Sequence, residues 1–108
     1  MNIKSKNDFL IVELEGEIDE YICSSIKPEI DFEYKEKGMK NMIFDFDKTT
    51  FIDSSTLGML LGRYKRVSEN DGEVFISGAK EQVDKVLEIS DIYKLIRPYK
   101  NVDEIINE

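Results

Sequence analysis

Short apolar runs along the chain predict the strands of a β-sheet. Phe9 to Gly16 is rich in strand-forming residues, and from Val12 onward its apolar residues alternate with acidic ones, as in a strand with one wetter face. Asn41 to Phe46 has the apolar character of a buried strand, and Phe51-Ile52 extends the same sheet towards the next helix. The other predicted strands are residues 73–77 and 94–97, and residues 1–6 offer a short edge strand.

Isoleucines at helical spacing predict a helix from Glu20 to Lys37, and Gly38 is suited to its end. Pro28 leaves two alternatives for its start, because a regular helix tolerates proline only in its first turn. Either a serine of Ser24-Ser25 caps a helix that starts near Ile26, or the helix starts earlier and is kinked at the proline.

A second amphipathic helix is predicted from Asp53-Ser54-Ser55 to about Asn70. Its larger apolar residues fall at i, i+3, i+4 and i+7, which predicts a stripe buried against the sheet. The stripe consists of Leu57, Leu60, Leu61 and Tyr64. Residues 83–87 indicate a third helix, and the end of the chain indicates a fourth.

The alternation of strands and helices predicts an α/β fold with a mixed, mainly parallel sheet of four to five strands and helices packed around it. The 108 residues suit a single domain, and neither a linker nor an internal repeat divides them. We therefore expect one domain over residues 1–108.

Charge and composition narrow the classes of function. Fifteen basic and twenty-three acidic residues give a net charge of −8, which argues against nucleic acid or an anionic membrane as a partner. The longest stretch without a charged side chain, Ser54 to Gly62, is well short of the roughly 20 apolar residues of a membrane span. The absence of histidine excludes histidine-dependent catalysis and histidine-ligated zinc, and we expect no cofactor or metal. The single Cys23 fits a reducing compartment, so a cytoplasmic location is expected.

The segment most informative about function is Asp53-Ser54-Ser55, which lies between an apolar strand and the helix that follows it. The first turn of a helix has backbone N–H groups without intrahelical partners and lies at the positive end of the helix dipole. A serine there commonly caps the helix, contributing about 1 kcal/mol, and a phosphate group there would also be well accommodated. The residues alone favour the capping role.

Two motifs give this segment a more specific meaning. Asp53-Ser-Ser-Thr-Leu-Gly58 followed by Gly62-Arg-Tyr-Lys65 resembles the signature of the anti-sigma-factor antagonists, stand-alone members of the STAS domain family, and is most similar to their sporulation sigma-F branch. Gly16-Glu-Ile-Asp19 resembles the Gly-Glu-Leu/Ile-Asp of that family, and residues 87–96 are similar to its terminal region. The resemblance implies a STAS-type fold.

The resemblance also implies a switch that works by phosphorylation. In the family, the second serine of Asp-Ser-Ser accepts a phosphoryl group from a partner that is both anti-sigma factor and serine kinase, and the matching residue is Ser55. The unmodified protein would bind this partner and free a sigma factor, phosphorylation would end the binding, and a serine phosphatase would reset it. The protein would then be a kinase substrate and not an enzyme. The residues expected to contact the partner are Asp19, Asp53, Ser54, Thr56, Gly58, Met59, Gly62 and Arg63.

Thr56 departs from the family pattern, in which glycine commonly follows the second serine. It could alter docking or offer a competing hydroxyl. By the same resemblance Asp19 lies close to Ser55, at the neighbouring strand-to-helix junction. Capping and loop geometry alone would equally explain Asp19 and Asp53.

Gly58 and Gly62 are four residues apart, so they share one side of the helix. That smooth strip could admit the backbone of a partner or pack within the protein. Arg63, Lys65 and Arg66 lie towards the last turns, where cations complement the helix dipole and could also meet an acidic patch on a partner.

Two other interpretations stand beside this one. Ile43-Phe-Asp-Phe-Asp-Lys-Thr49 resembles the first motif of haloacid-dehalogenase-type phosphohydrolases, in which Asp45 and Asp47 would supply the nucleophile, the general acid and a magnesium ligand. Because Lys48 replaces the motif's glycine, Asp45 and Asp47 are more readily explained as turn residues at a strand end. A scaffold STAS module of a larger signalling complex would keep the fold but need no free anti-sigma kinase.

Overall fold

The computed structural model describes all 108 residues and contains one five-stranded sheet in the order β1-β2-β3-β4-β5. The strands are β1 (Asn2–Lys6), β2 (Phe9–Ile18), β3 (Asn41–Ile52), β4 (Val74–Ser77) and β5 (Arg97–Tyr99). β1 runs antiparallel to β2, and every other neighbouring pair is parallel. The mixed, mainly parallel sheet is therefore confirmed, including its short edge strand.

Four α-helices connect or follow the strands. They are α1 (Glu20–Glu36), α2 (Ser54–Glu69), α3 (Glu81–Ile89) and α4 (Val102–Ile106), and a short 3₁₀ turn lies at Ile92–Lys94. None of the helices has the length and apolar composition that crossing a lipid bilayer requires.

The start of α1 decides between the two alternatives at Pro28. The helix begins at Glu20 with Asp19 as its N-cap, and Pro28 lies inside it on the exposed side. Neither Ser24 nor Ser25 is a cap. Gly38 adopts a left-handed φ of +62° directly after the helix, a conformation that glycine adopts without steric cost, so the predicted end is correct.

The last predicted strand is displaced, because residues 94–97 do not form one strand. Ile92 and Ile96 both turn into the core, and the Ile96 N–H donates to the Ile92 carbonyl at 2.9 Å. This helical spacing uses residues 92–95 for a turn, so that β5 starts only at Arg97.

The sheet has two unequal apolar faces. Helices α1, α2 and α3 cover one face and form the main core with alternate residues of β2, β3 and β4. On the opposite face only the short α4 packs, and it buries Ile105 against Ile11, Ile43 and Phe75. The carboxyl ends of β2 and β3, where the predicted site lies, therefore lead directly into the helices of the covered face.

The buried side of α2 differs from the predicted leucine stripe. Thr56, Met59, Leu60 and Val67 are its buried residues, whereas Leu61 is 43% exposed. Leu57 and Tyr64 are only partly buried. The predicted stripe is confirmed at Leu60 and wrong at Leu61, because hydropathy alone gave no weight to Thr56, whose polar group is satisfied inside the protein. The helix is consequently rotated: Leu61 faces solvent, and Leu57 and Tyr64 lie at the margin of the core.

Candidate functional site

The predicted site lies where β2 and β3 end side by side. Ile18 of β2 and Ile52 of β3 are register partners, so Asp19 and Asp53 follow at the same edge of the sheet. Each aspartate caps the helix that follows: Asp19 Oδ1 accepts from Ile22 N at 3.0 Å, and Asp53 Oδ1 accepts from Ser55 N at 2.9 Å. The sequence analysis assigned the capping of α2 to a serine, but Asp53 is the cap. Neither Ser54 nor Ser55 caps the helix.

Ser54 and Ser55 are the first two residues of α2. Ser54 is exposed and Ser55 is half-buried, and because no buried side-chain oxygen of the protein lacks a hydrogen-bond partner, the unpaired Ser55 hydroxyl is in contact with solvent. Ser55 gives its backbone N–H to Asp53, and its hydroxyl has no hydrogen-bond partner in the protein. The hydroxyl lies in the first turn, where unpaired N–H groups and the helix dipole favour an anionic group.

Thr56 is part of the internal structure of the site. Its side chain is fully buried, and its hydroxyl donates to the carbonyl of Ile18 at 2.9 Å. It also lies 3.7 Å from the Cys23 sulfur. The prediction that Thr56 contacts a partner or offers a competing hydroxyl was therefore wrong: the side chain ties the start of α2 to the end of β2.

The two glycines of α2 form an open strip. Gly58 and Gly62 are exposed, and a Cβ added at either would meet no atom within 4 Å. Packing within the protein does not explain them. Met59 lies between these two glycines in the sequence and was predicted to contact a partner. Its side chain is fully buried in the core, so it is not part of a contact surface.

An apolar groove that includes two leucines of the same helix was missed in the sequence. It is lined by Leu57, Leu61, Ser90, Asp91, Ile92, Lys94 and Leu95. Leu61 and Leu95 are 43% and 53% exposed, which is unusual for large apolar side chains so close to each other. The sequence did contain a signal for this groove: α2 has more apolar residues than one buried stripe can hold.

A model of the STAS domain matches residues 1–105. The chain belongs to the STAS domain family. The STAS domain is 29% identical over 92 residues to the anti-sigma F factor antagonist of Paenibacillus polymyxa. The aligned region covers 85% of this chain and 79% of that protein. The domain is 24% identical over 98 residues to the anti-sigma-B factor antagonist of Staphylococcus aureus, with 89% and 90% covered. These relatives confirm the resemblance to the anti-sigma-factor antagonists.

The structure of the Bacillus cell fate determinant SpoIIAA in its phosphorylated form has the same fold. Its TM-score to this STAS domain is 0.77 at 20% identity, and the match covers 98% of this chain and 96% of that one. The STAS-type fold expected from the sequence is confirmed.

Cys23 lies behind the site in this STAS domain and is buried. Burial raises the pKa of its thiol, the nearby carboxylates of Asp53 and Asp19 raise it further, and the hydrogen bond to Thr56 opposes them. The thiol is therefore protonated at neutral pH, and a buried neutral thiol is a poor nucleophile. Its side chain belongs to the main core and lies against the Thr56 hydroxyl.

Asp45 and Asp47 lie inside β3, on the face of the sheet opposite to α1, α2 and α3. The sequence analysis had instead predicted turn residues at a strand end. Asp45 Oδ1 accepts from the Ser77 hydroxyl at 3.2 Å and from Asp47 N at 3.1 Å, and Asp47 pairs with Lys80 at 3.2 Å. The strand continues past both residues because β2 pairs with it up to Ile52. The turn prediction was wrong, and the strand-then-loop arrangement of the phosphohydrolase motif is not formed.

Arg63 connects α2 to α1. Its Nε and Nη2 atoms each donate to the Asp31 carboxylate at 3.0 Å, and its side chain is only 13% exposed. A fork of two parallel hydrogen bonds is stronger and more directional than a single ion contact. The guanidinium of Arg63 is thus engaged within the protein, and its predicted contact with a partner stays a prediction.

Replacing Arg63 by lysine should lower the free energy of unfolding by about 1 kcal/mol, because an ammonium group cannot form the two-pronged contact with Asp31. Urea denaturation followed by circular dichroism measures the change. Arg66→Lys is the matched control: Arg66 lies 3.9 Å from the same carboxylate but is 47% exposed, so that change should have little effect. Equal losses in the two variants would refute the special role of Arg63.

Proposed function

We propose that the protein is an anti-sigma-factor antagonist whose binding to an anti-sigma factor is switched off by phosphorylation of Ser55. The observation that carries this proposal is the state of Ser55: half-buried, with an unpaired hydroxyl, in the first turn of α2. The names of the relatives from Paenibacillus polymyxa and Staphylococcus aureus support the antagonist function, and a SpoIIAA structure described as phosphorylated supports the switch.

The partner would be an anti-sigma factor with serine kinase activity. Its contact surface would consist of Ser54, Ser55, the strip at Gly58 and Gly62, and the adjoining apolar groove. The strip admits close approach of another backbone, and the exposed leucines of the groove supply apolar area whose burial favours association. Binding of the unmodified protein would displace a sigma factor, and a serine phosphatase would later restore Ser55. A protein with these partners acts in the cytoplasm.

The switch would act through local charge. A phosphoserine carries roughly −1.5 to −2 charges and three acceptor oxygens at neutral pH. The free protein tolerates this group, because the first turn of α2 offers N–H groups and a favourable dipole. A partner packed over Ser55 would have to strip water from the dianion, which is costly unless it supplies opposite charges. Asp19 and Asp53, both at this edge, add negative charge and make the penalty larger.

Mapping the phosphate after incubation with the cognate anti-sigma kinase and ATP tests the proposal. Trypsin cleavage after Lys48 and Arg63 releases residues 49–63, which contain both serines and Thr56. Fragmentation of this peptide should place the phosphate on Ser55, and Ser55→Ala should remain unmodified. Phosphate on Ser54 alone, or on Ser55→Ala to the same extent as on the wild type, would contradict the assignment.

A further inference from the structure

The side chain of Gln82 holds the backbone of the residue that leads into the phosphoacceptor segment. Ile52 N donates to Gln82 Oε1 at 3.1 Å, and Gln82 Nε2 donates to the Ile52 carbonyl at 3.0 Å. β4 pairs with β3 only over residues 42–45, so the outer edge of β3 has no strand neighbour at Ile52. The carboxamide of Gln82 therefore takes the place of the missing strand.

Contacts from β2 hold the same segment on its other side. Ile52 is the register partner of Ile18, and the Ile18 carbonyl accepts from the Thr56 hydroxyl. The segment from Ile52 to Thr56 is thus fixed at its first residue by α3 and at its last residue by β2. Ser55 lies inside this fixed segment, with a hydroxyl that nothing else in the protein holds.

From this geometry we infer that Gln82 is a positioning residue for the phosphorylation of Ser55. The inference rests on the proposed function. In the reaction the Ser55 oxygen forms a bond to the γ-phosphorus of ATP, the bond from that phosphorus to the β-phosphate oxygen breaks to give ADP, and the hydroxyl proton passes to a base of the kinase. Such a displacement depends on the placement of the attacking oxygen. Gln82 acts on that placement through Ile52.

A positioning role predicts a specific kinetic pattern. Gln82→Met keeps the length and volume of the side chain but forms neither hydrogen bond to Ile52. The surface that binds the kinase is unchanged, so KM should stay the same while kcat falls about tenfold. Lys85→Met is the matched control, since Lys85 is an exposed residue of the same helix and receives the same new side chain.

Amide hydrogen exchange of Ile52, followed by NMR, tests the geometry without the kinase. In Gln82→Met the Ile52 amide should exchange about tenfold faster, because it has lost its acceptor. Gln82→Glu should keep the protection only in part, because one carboxylate oxygen still accepts from Ile52 N while the other cannot donate to the Ile52 carbonyl and repels it. The Phe44 amide, in the centre of β3, should stay protected in all variants and so report an intact fold.

The two readouts separate the inference from the proposed function. Equal kcat for wild type and Gln82→Met, or unchanged Ile52 exchange in Gln82→Met, would overturn the positioning role alone. Absence of phosphate on Ser55 in the wild type would overturn the proposed function, and the inference with it.

Discussion

Ser55→Asp should weaken binding of the protein to its anti-sigma factor kinase about 100-fold, whereas Ser55→Ala should leave the affinity within about twofold of wild type. The aspartate places a permanent carboxylate at the start of α2, which the partner covers in the proposed complex, so this charge would lose its water on binding. Alanine removes only a hydroxyl that has no partner within the protein. Isothermal titration calorimetry with the purified kinase measures both affinities.

Ser68→Asp is the matched control for the added charge. Ser68 is an exposed residue near the other end of α2, so the same substitution there should leave the affinity close to that of the wild type. If Ser55→Asp and Ser55→Ala bind equally well, a charge at Ser55 does not act as the switch.

Thr56→Val should lower the free energy of unfolding by about 2 kcal/mol, because it leaves the Ile18 carbonyl without the hydroxyl that now satisfies it. Valine has nearly the shape of threonine, so the loss reports the hydrogen bond more than the packing. Urea denaturation gives the value, and Thr50→Val, at an exposed position of β3, is the matched control and should change stability by less than about 0.5 kcal/mol. A Thr56→Val protein as stable as the control would show that the hydrogen bond does not stabilise the site.

Much of the fold could be predicted because local signals and the overall topology agree. Phe9 to Gly16 and Asn41 to Phe46 are apolar enough to be strands, and Gly38 suits the left-handed conformation that follows the end of α1. The antagonist motifs placed the candidate site at a strand-to-helix junction, and the structure forms that junction between β3 and α2. The start of α1 could not be settled, because Pro28 gave a stronger local signal than the Asp19 cap.

Contacts between distant parts of the chain account for what the sequence did not reveal. The burial of Thr56 depends on a carbonyl 38 residues earlier, and the anchor of Ile52 depends on a side chain 30 residues later. Arg63 was interpreted as a surface cation because its partner, Asp31, lies on another helix. Each of these polar side chains is satisfied by a tertiary contact, so hydropathy and spacing assign it to the wrong environment.

Phosphorylation of Ser55 as the switch is tested most directly by calorimetry, which measures the affinity of the wild-type protein for the same anti-sigma factor kinase in three states. The protein is unmodified in the first state and phosphorylated on Ser55 in the second. In the third it has been phosphorylated and then treated with a serine phosphatase. Our prediction is that the unmodified and the phosphatase-treated protein bind equally well and that the phosphorylated protein binds at least about 100-fold more weakly. Equal affinity of the phosphorylated and unmodified protein would contradict it.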